Sequence, residues 1–214
     1  MTKMNYFPLP PEVATIPLDD YTGILAFSGG VESTALMAHL KRTGEKFVAF
    51  NFALSLPEPP YGPIEVWLAT QRINARLIAE KMDVPMMEID LQMTNLGTIR
   101  NETPEYKYSF QRWYISFFLG MLTVYNPQVK NLYYGLNNED TTAVNPQMRG
   151  QMETFMGVMT GDNRLQTPLS HLTKAQQWEI IPDDVKPLVL TCFSGVCGTC
   201  FKCKERIDAG IPLK

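Results

Sequence analysis

Phe27-Ser28-Gly29-Gly30-Val31-Glu32-Ser33-Thr34 brings three hydroxyls, two adjacent glycines and one carboxylate into eight consecutive positions. Glycines let a backbone approach a ligand closely, and the first N–H groups of a helix have no intrahelical partner, so a glycine turn feeding a helix can hold an anion. The hydroxyls of Ser28, Ser33 and Thr34 add donors at the same place. The natural guest is a phosphate group. A second group with chemistry in its spacing is Cys192, Cys197, Cys200 and Cys203, which are all four cysteines of the chain. Their C-x4-C-x2-C-x2-C order suits tetrahedral thiolate coordination better than disulfides in a reducing compartment. Structural zinc is the favoured metal, with Gly195 and Gly198 permitting a tight knuckle and Lys202, Lys204 and Arg206 placed to offset four thiolates. An iron–sulfur cluster, which also takes closely spaced cysteines, is the alternative.

Both groups need elements to position them. The apolar run Gly23 to Phe27 predicts a strand, and Val31, Ala35, Met37, Ala38 and Leu40 carry a helical periodicity directly after the glycines. Lys46 to Phe52 is a further strand, followed by a proline-broken loop from Ser55 to Pro63. Ile64 to Met82 has helical spacing, with Leu68, Ile73, Leu77 and Ile78 on or near one face and Arg72, Arg76 and Lys81 off it. Val84 to Leu91 is strand-like. Residues 92–106 suggest a surface crossing, and Tyr108 to Tyr125 a helix apolar on most sides and therefore buried. Asn131 to Leu136 predicts a strand that runs into the polar loop Asn137-Asn138-Glu139-Asp140. Met148 to Met159 is helical, and its stripe of Met148, Met152, Met156 and Met159 reads as core packing. Strands alternating with helices argue for an α/β fold: an open parallel sheet covered by helices on both faces, with right-handed crossovers. Such sheets bind ligands at the carboxyl ends of their strands, which is where the glycine turn falls.

Composition bounds the function classes. The 214 residues are 45% hydrophobic and 19% charged, with a net charge of −3 and a sequence pI near 5.5. Wrapping a nucleic acid is not favoured by that charge, and nucleic acid is not an expected partner. The first twenty residues lack the basic-then-apolar order of a signal peptide, and no apolar run reaches the roughly 20 residues of a membrane helix. A cytoplasmic protein is expected.

The turn lacks the Walker pattern G-x-x-x-x-G-K-[ST] and the dinucleotide pattern G-x-G-x-x-G. Ser28-Gly29-Gly30-Val31-Glu32-Ser33 resembles instead the S-G-G-x-D-S pyrophosphate loop of ATP pyrophosphatases. Taken with the C-terminal cysteines, the chain resembles the 7-cyano-7-deazaguanine synthase family. The likeness runs through Tyr61-Gly62, Arg112, Gly135-Leu136-Asn137-Asn138-Glu139-Asp140, Asn145-Pro146, Arg149, Thr167-Pro168-Leu169, Thr173-Lys174, Thr191-Cys192-Phe193, Cys197-Gly198-Thr199-Cys200, Cys203 and Arg206. Glu32 stands where that family has an aspartate, and Gln147 and Gln151 stand where it has acids near the presumed base pocket. Pro63-Ile64 replaces its Gln-Arg.

The resemblance implies an adenine nucleotide alpha hydrolase-like domain over residues 21–186, after an extension over 1–20 and before a zinc-binding segment over 187–214. It implies an ATP-dependent carbon–nitrogen ligase with Mg2+ and Zn2+. The substrates would be 7-carboxy-7-deazaguanine and ammonia, and the product a nitrile of the queuosine pathway. Phe27, Ser28, Gly29, Gly30, Val31, Glu32, Ser33 and Thr34 would bind the nucleotide. Glu32, Asp140, Arg112 and Arg149 would serve catalysis, the arginines as anion clamps, and Cys192, Cys197, Cys200 and Cys203 would hold zinc. His39 and His171 have no neighbouring ligand residue and read as packing or surface. A homodimer is one assembly open to it. Two competing readings are a pyrophosphate-loop sulfur transferase acting on RNA with an iron–sulfur cluster, and a non-catalytic nucleotide-binding homologue.

Overall fold

Strands buried on both faces read as nearly continuous apolar runs, and here successive side chains along each run enter two different cores. In a computed structural model of the chain, the described residues are 18–55, 64–92, 119–120, 122–123, 126–139, 150, 153–154, 165–190, 198–199 and 201–213. Their elements are β1 (Gly23–Ala26), α1 (Val31–Arg42), β2 (Phe47–Ser55), α2 (Ile64–Lys81), β3 (Met86–Gln92), β4 (Asn131–Tyr134), β5 (Leu165–Gln166), α3 (Lys174–Ile180), a 3-10 turn (Lys186–Leu188) and α4 (Phe201–Asp208). The five strands pair in parallel in the order β3-β2-β1-β4-β5.

Ile24, Val48, Phe50 and Leu132 face one core with Leu119 and Leu122. Leu25, Phe47, Ala49 and Tyr133 face the other, with Leu36 and Leu40 of α1 and Ala75 and Ile78 of α2. Each fully buried large aliphatic or aromatic side chain stabilises by about 1.5–3 kcal/mol, so the two clusters fix the strand order against slippage. The predicted architecture, an open parallel sheet with helices on both faces, is the one observed. No described helix is long and apolar enough to cross a membrane.

The inner face of α2 differs from the sequence expectation. Ile73 is 52% and Leu77 40% exposed, whereas Ala75, Ile78, Ala79 and Met82 are buried. Ile78 lies in the core as expected, and Ala75 and Ala79, rather than Ile73 and Leu77, complete the buried face of the helix. A Cβ at Gly29 would lie 3.5 Å from the Ala75 Cβ, so the small residue lets the helix come up to the glycine turn. Strand limits shift by a few residues: β1 stops at Ala26, β2 runs on to Ser55, β3 starts at Met86 and β4 stops at Tyr134. The proline loop beyond Ser55, the crossing beyond Gln92, most of the helix over 108–125 and the methionine stripe lie outside the described residues. Within that long helix, residues 119–120 and 122–123 are helical.

Gly23 makes room for an aromatic that ties the lower end of the sheet. A Cβ there would sit 2.6 Å from Tyr133 Cε2, and the Tyr133 hydroxyl donates to Glu45 Oε2 at 3.0 Å. Burial first, and then the Glu45 carboxylate, push this phenol up to about 12. Its ordinary value is about 10, so the folded protein holds the proton more tightly. The associated stability is fully present below about pH 10 and is lost as pH rises toward about 12. Urea unfolding of wild type and Tyr133→Phe should therefore give a stability difference that is constant at neutral pH and shrinks in that alkaline window.

Candidate nucleotide site at the switch point of the sheet

The chain leaves β1 toward β2, whereas β4 lies on the opposite side of β1, so the loops after β1 and β4 diverge at the reversal of strand order. Open α/β sheets bind ligands in that crevice. The first loop is Phe27 to Gly30. Gly29 has φ +74°, a left-handed conformation that costs an L-residue roughly 1–2 kcal/mol. Gly30 is the N-cap of α1 in an extended conformation, and no side chain caps the helix. Gly30 thus offers no side-chain cap to the positive end of α1, an arrangement that leaves room for an anion.

Hydroxyls line this turn. Ser33 Oγ accepts from Ser28 N at 3.2 Å and lies 3.1 Å from Ser28 Oγ, while Gly30 N donates to Ser28 Oγ at 3.4 Å. Ser28 is exposed, whereas Phe27, Val31 and Thr34 are buried, and the Thr34 hydroxyl, expected as a donor at the site, is buried with no hydrogen-bond partner among the described residues.

The second loop, Gly135 to Glu139, crosses directly over the start of α1. A Cβ at Gly135 would lie 2.8 Å from Glu32 C, 2.8 Å from Ser33 N and 2.9 Å from Glu32 O, so the crossing requires glycine. Asn137 then donates from Nδ2 to Glu32 Oε1 at 3.0 Å, and its own Oδ1 accepts from Glu139 N at 2.9 Å. The C-terminal part supplies a cation to the same carboxylate. Lys174 Nζ is 2.9 Å from Glu32 Oε1 and 2.5 Å from Glu205 Oε2 of α4. Lys174 is 3% exposed.

A capping box fixes the helix that carries this lysine. Thr173 Oγ1 accepts from Gln176 N, and Gln176 Oε1 accepts from Thr173 N. Fully buried Gln177 ties α3 to the loop after β4, donating to Leu136 O at 2.6 Å and Leu169 O at 2.9 Å. Burial alone would lower the Lys174 pKa, but Glu32 and then Glu205 outweigh it and hold the ammonium above the usual lysine range.

The segment around α4 packs on the same structure. Leu190 N donates to Gly29 O at 3.3 Å, and Val189 and Ile211 join the core beneath α1. Arg206 donates from Nη1 to Val189 O at 3.1 Å and lies over the Trp178 ring at 5.2 Å. Cys203 is buried. Of the expected site residues, Phe27 through Thr34 form the turn after β1 and the first turn of α1, and Glu32 there meets Asn137 and Lys174. Arg112, Asp140, Arg149, Cys192, Cys197 and Cys200 lie outside the described residues. His171 is exposed and His39 half-buried.

A family model described as "Queuosine biosynthesis protein QueC" matches residues 22–211. The chain belongs to the QueC family. QueC is the 7-cyano-7-deazaguanine synthase family, so membership ties the chain to queuosine biosynthesis and to use of ATP. Comparison with curated protein sequences returns no match. Among solved structures, NMN synthetase from Francisella tularensis superposes with a TM-score of 0.55 at 13% identity, over 94% of this chain and 78% of that one. U34-tRNA thiolase NcsA from Methanococcus maripaludis, solved with its 4Fe-4S cluster, gives 0.50 at 13% identity, over 89% of this chain and 64% of that one. These two likenesses establish the fold.

Asn137 and Lys174 fall inside the QueC match and in stretches already noted in the sequence, yet nothing local gave them a role. Glu205 escaped notice altogether. One signal was available: Lys174 is the first residue of α3, at the positive end of the helix, where a cation is locally disfavoured. A local conflict of that kind marks a residue held by something distant.

Proposed function

We propose that this QueC-family protein uses ATP to activate the carboxylate of 7-carboxy-7-deazaguanine as an adenylate. Ammonia would then displace AMP to give the amide, and a second activation with loss of the amide oxygen would give the nitrile. A carboxylate is a poor electrophile and needs a leaving group, and a loop that holds pyrophosphate lowers the barrier to transferring AMP onto its oxygen. The observation that carries this reading is the convergence of Asn137 and Lys174 on Glu32, beside a glycine turn whose helix has no side-chain cap.

The donor set also fits a divalent cation. Lys174 meets two carboxylates, Glu32 and Glu205, and carboxylate oxygens suit Mg2+ arriving with the phosphates. Glu32 and Asp140 are the residues we assign to hold it, and the bound ion would neutralise phosphate charge. Arg112 and Arg149 are assigned as clamps for the anionic substrate groups. Cys203, buried in α4, would supply one thiolate to a structural zinc shared with Cys192, Cys197 and Cys200. Gln147 and Gln151 would meet the base edge without the charge-assisted bond of an acid, which is roughly twice as strong, so the base should bind more weakly than to a family member with acids there.

The test is an incubation with MgATP, 7-carboxy-7-deazaguanine and ammonia, read by mass spectrometry of the base, with metal analysis of the same preparation. The expected result is the amide or nitrile, and about one zinc per chain. An unchanged base would defeat the substrate assignment. Stoichiometric iron and sulfide would replace zinc with a cluster and favour sulfur transfer instead.

A further inference from the structure

A polyphosphate is attracted by N–H groups and repelled by carbonyl oxygens, so a loop that binds one must turn its carbonyls away. Four consecutive carbonyls of this turn are each taken by a donor from the protein. Phe27 O accepts from Asn51 Nδ2 at 2.9 Å, and Ser28 O accepts from Gln71 Nε2 at 2.9 Å. Gly29 O accepts from Leu190 N at 3.3 Å, and Gly30 O from Thr34 N at 2.9 Å. The last belongs to the helix itself, and the third is a backbone contact. The first two are side-chain amides supplied by β2 and α2.

We propose that Asn51 and Gln71 are positioning residues of the phosphate site, which anchor the Phe27 and Ser28 carbonyls and thereby fix the direction of the following N–H groups. A trans peptide places C=O and the next N–H on opposite sides of one rigid plane. Anchoring Phe27 O therefore fixes the direction of the Ser28 N–H, and anchoring Ser28 O fixes that of the Gly29 N–H. The Ser28 N–H meets a hydroxyl, Ser33 Oγ, which itself donates to Gly30 O at 3.3 Å. Asn51 acts where the ladder ends: Phe27 N still donates to Phe50 O at 2.8 Å, but β1 has stopped at Ala26 and an amide takes the next carbonyl. Asn51 is buried, so its donor is shielded from competition by water. Gln71 reaches the turn from the helix that carries Ala75, whose small side chain allows the approach.

This rests on the loop being a phosphate site but not on the identity of the base, so the test uses MgATP and magnesium pyrophosphate alone. Gln71 is partly exposed on a helix, and Gln71→Met keeps length and helix propensity while removing the donor. Calorimetric titration of the full chain should show both ligands bound about fivefold more weakly, the size expected for one hydrogen bond, at an unchanged melting temperature. In turnover the loss should appear in KM for ATP and leave KM for the base unmoved, a split that a general structural defect would not give. Asn51→Leu should weaken binding further, with a lowered melting temperature. Unchanged affinity of Gln71→Met for both ligands would overturn the proposal. If the wild-type chain bound neither ligand, the phosphate-site reading would fail and this proposal with it.

Discussion

Lys174→Met should cost roughly 3 kcal/mol of folding stability, at the low end for removing one member of a buried ion pair. The reason is that the substitution leaves the Glu32 carboxylate, with its side chain 17% exposed, beside an apolar group, while Glu205 at 40% can rehydrate. Turnover of ATP should fall by about a hundredfold, because Glu32 loses the cation that orients it and small displacements at a reacting centre carry penalties of that order. Adding Glu32→Gln to Lys174→Met should recover part of the stability, since the uncompensated charge is then gone, but none of the turnover. The pH dependence has a definite sign. Burial opposes the charge, Glu32 and Glu205 outweigh it, and the folded-state pKa is raised. The stability from this group is therefore complete below the ordinary lysine value of about 10.4 and is lost only as pH rises beyond it. Chemical denaturation of the two proteins from neutral to alkaline pH checks this, and a stability difference that vanished well below that value would contradict it.

Gly135→Ala should be the other severe substitution. Its Cβ would press on three backbone atoms at 2.8, 2.8 and 2.9 Å, and backbone at the start of a packed helix cannot yield as a flexible side chain can. The expected cost is about 1–3 kcal/mol, the range for overpacking. The loop after β4 would move off α1, and the bond from Asn137 to Glu32 would lengthen with it. Affinity for MgATP should fall together with stability. Gly44→Ala is the control, because Gly44, unlike Gly135, has positive φ, while a Cβ there meets nothing within 4 Å. It should show the conformational penalty alone, with nucleotide affinity intact.

The residues that made the fold legible were those where local signals agree. Gly23 to Ala26, the two glycines and the periodic run after Val31 specify strand, turn and helix at once, and the structure follows them closely. α2 was legible as a helix but only partly in its facing: Ile78 is buried as expected, whereas a large exposed Ile73 and Leu77 outweigh a buried Ala75 and Ala79 in any reading by hydrophobicity. β5 has two residues and α3 seven, too short for periodicity to register, although the Thr173 to Gln176 capping box was readable. Within the site, the glycine turn could be found from composition and order. The bridge from Glu32 through Lys174 to Glu205 could not, because it joins residues far apart in sequence through tertiary packing that no local pattern encodes.

In the function proposed for this chain, ATP is cut between its α and β phosphates to activate a deazaguanine carboxylate. ATP labelled separately at the α and γ positions, incubated with Mg2+ and the full chain, with and without 7-carboxy-7-deazaguanine, tests it directly. The expected result is labelled AMP and pyrophosphate that appear when the carboxylated base is present and stay at background without it. Formation of ADP and phosphate, or ATP cleavage indifferent to the base, would contradict it.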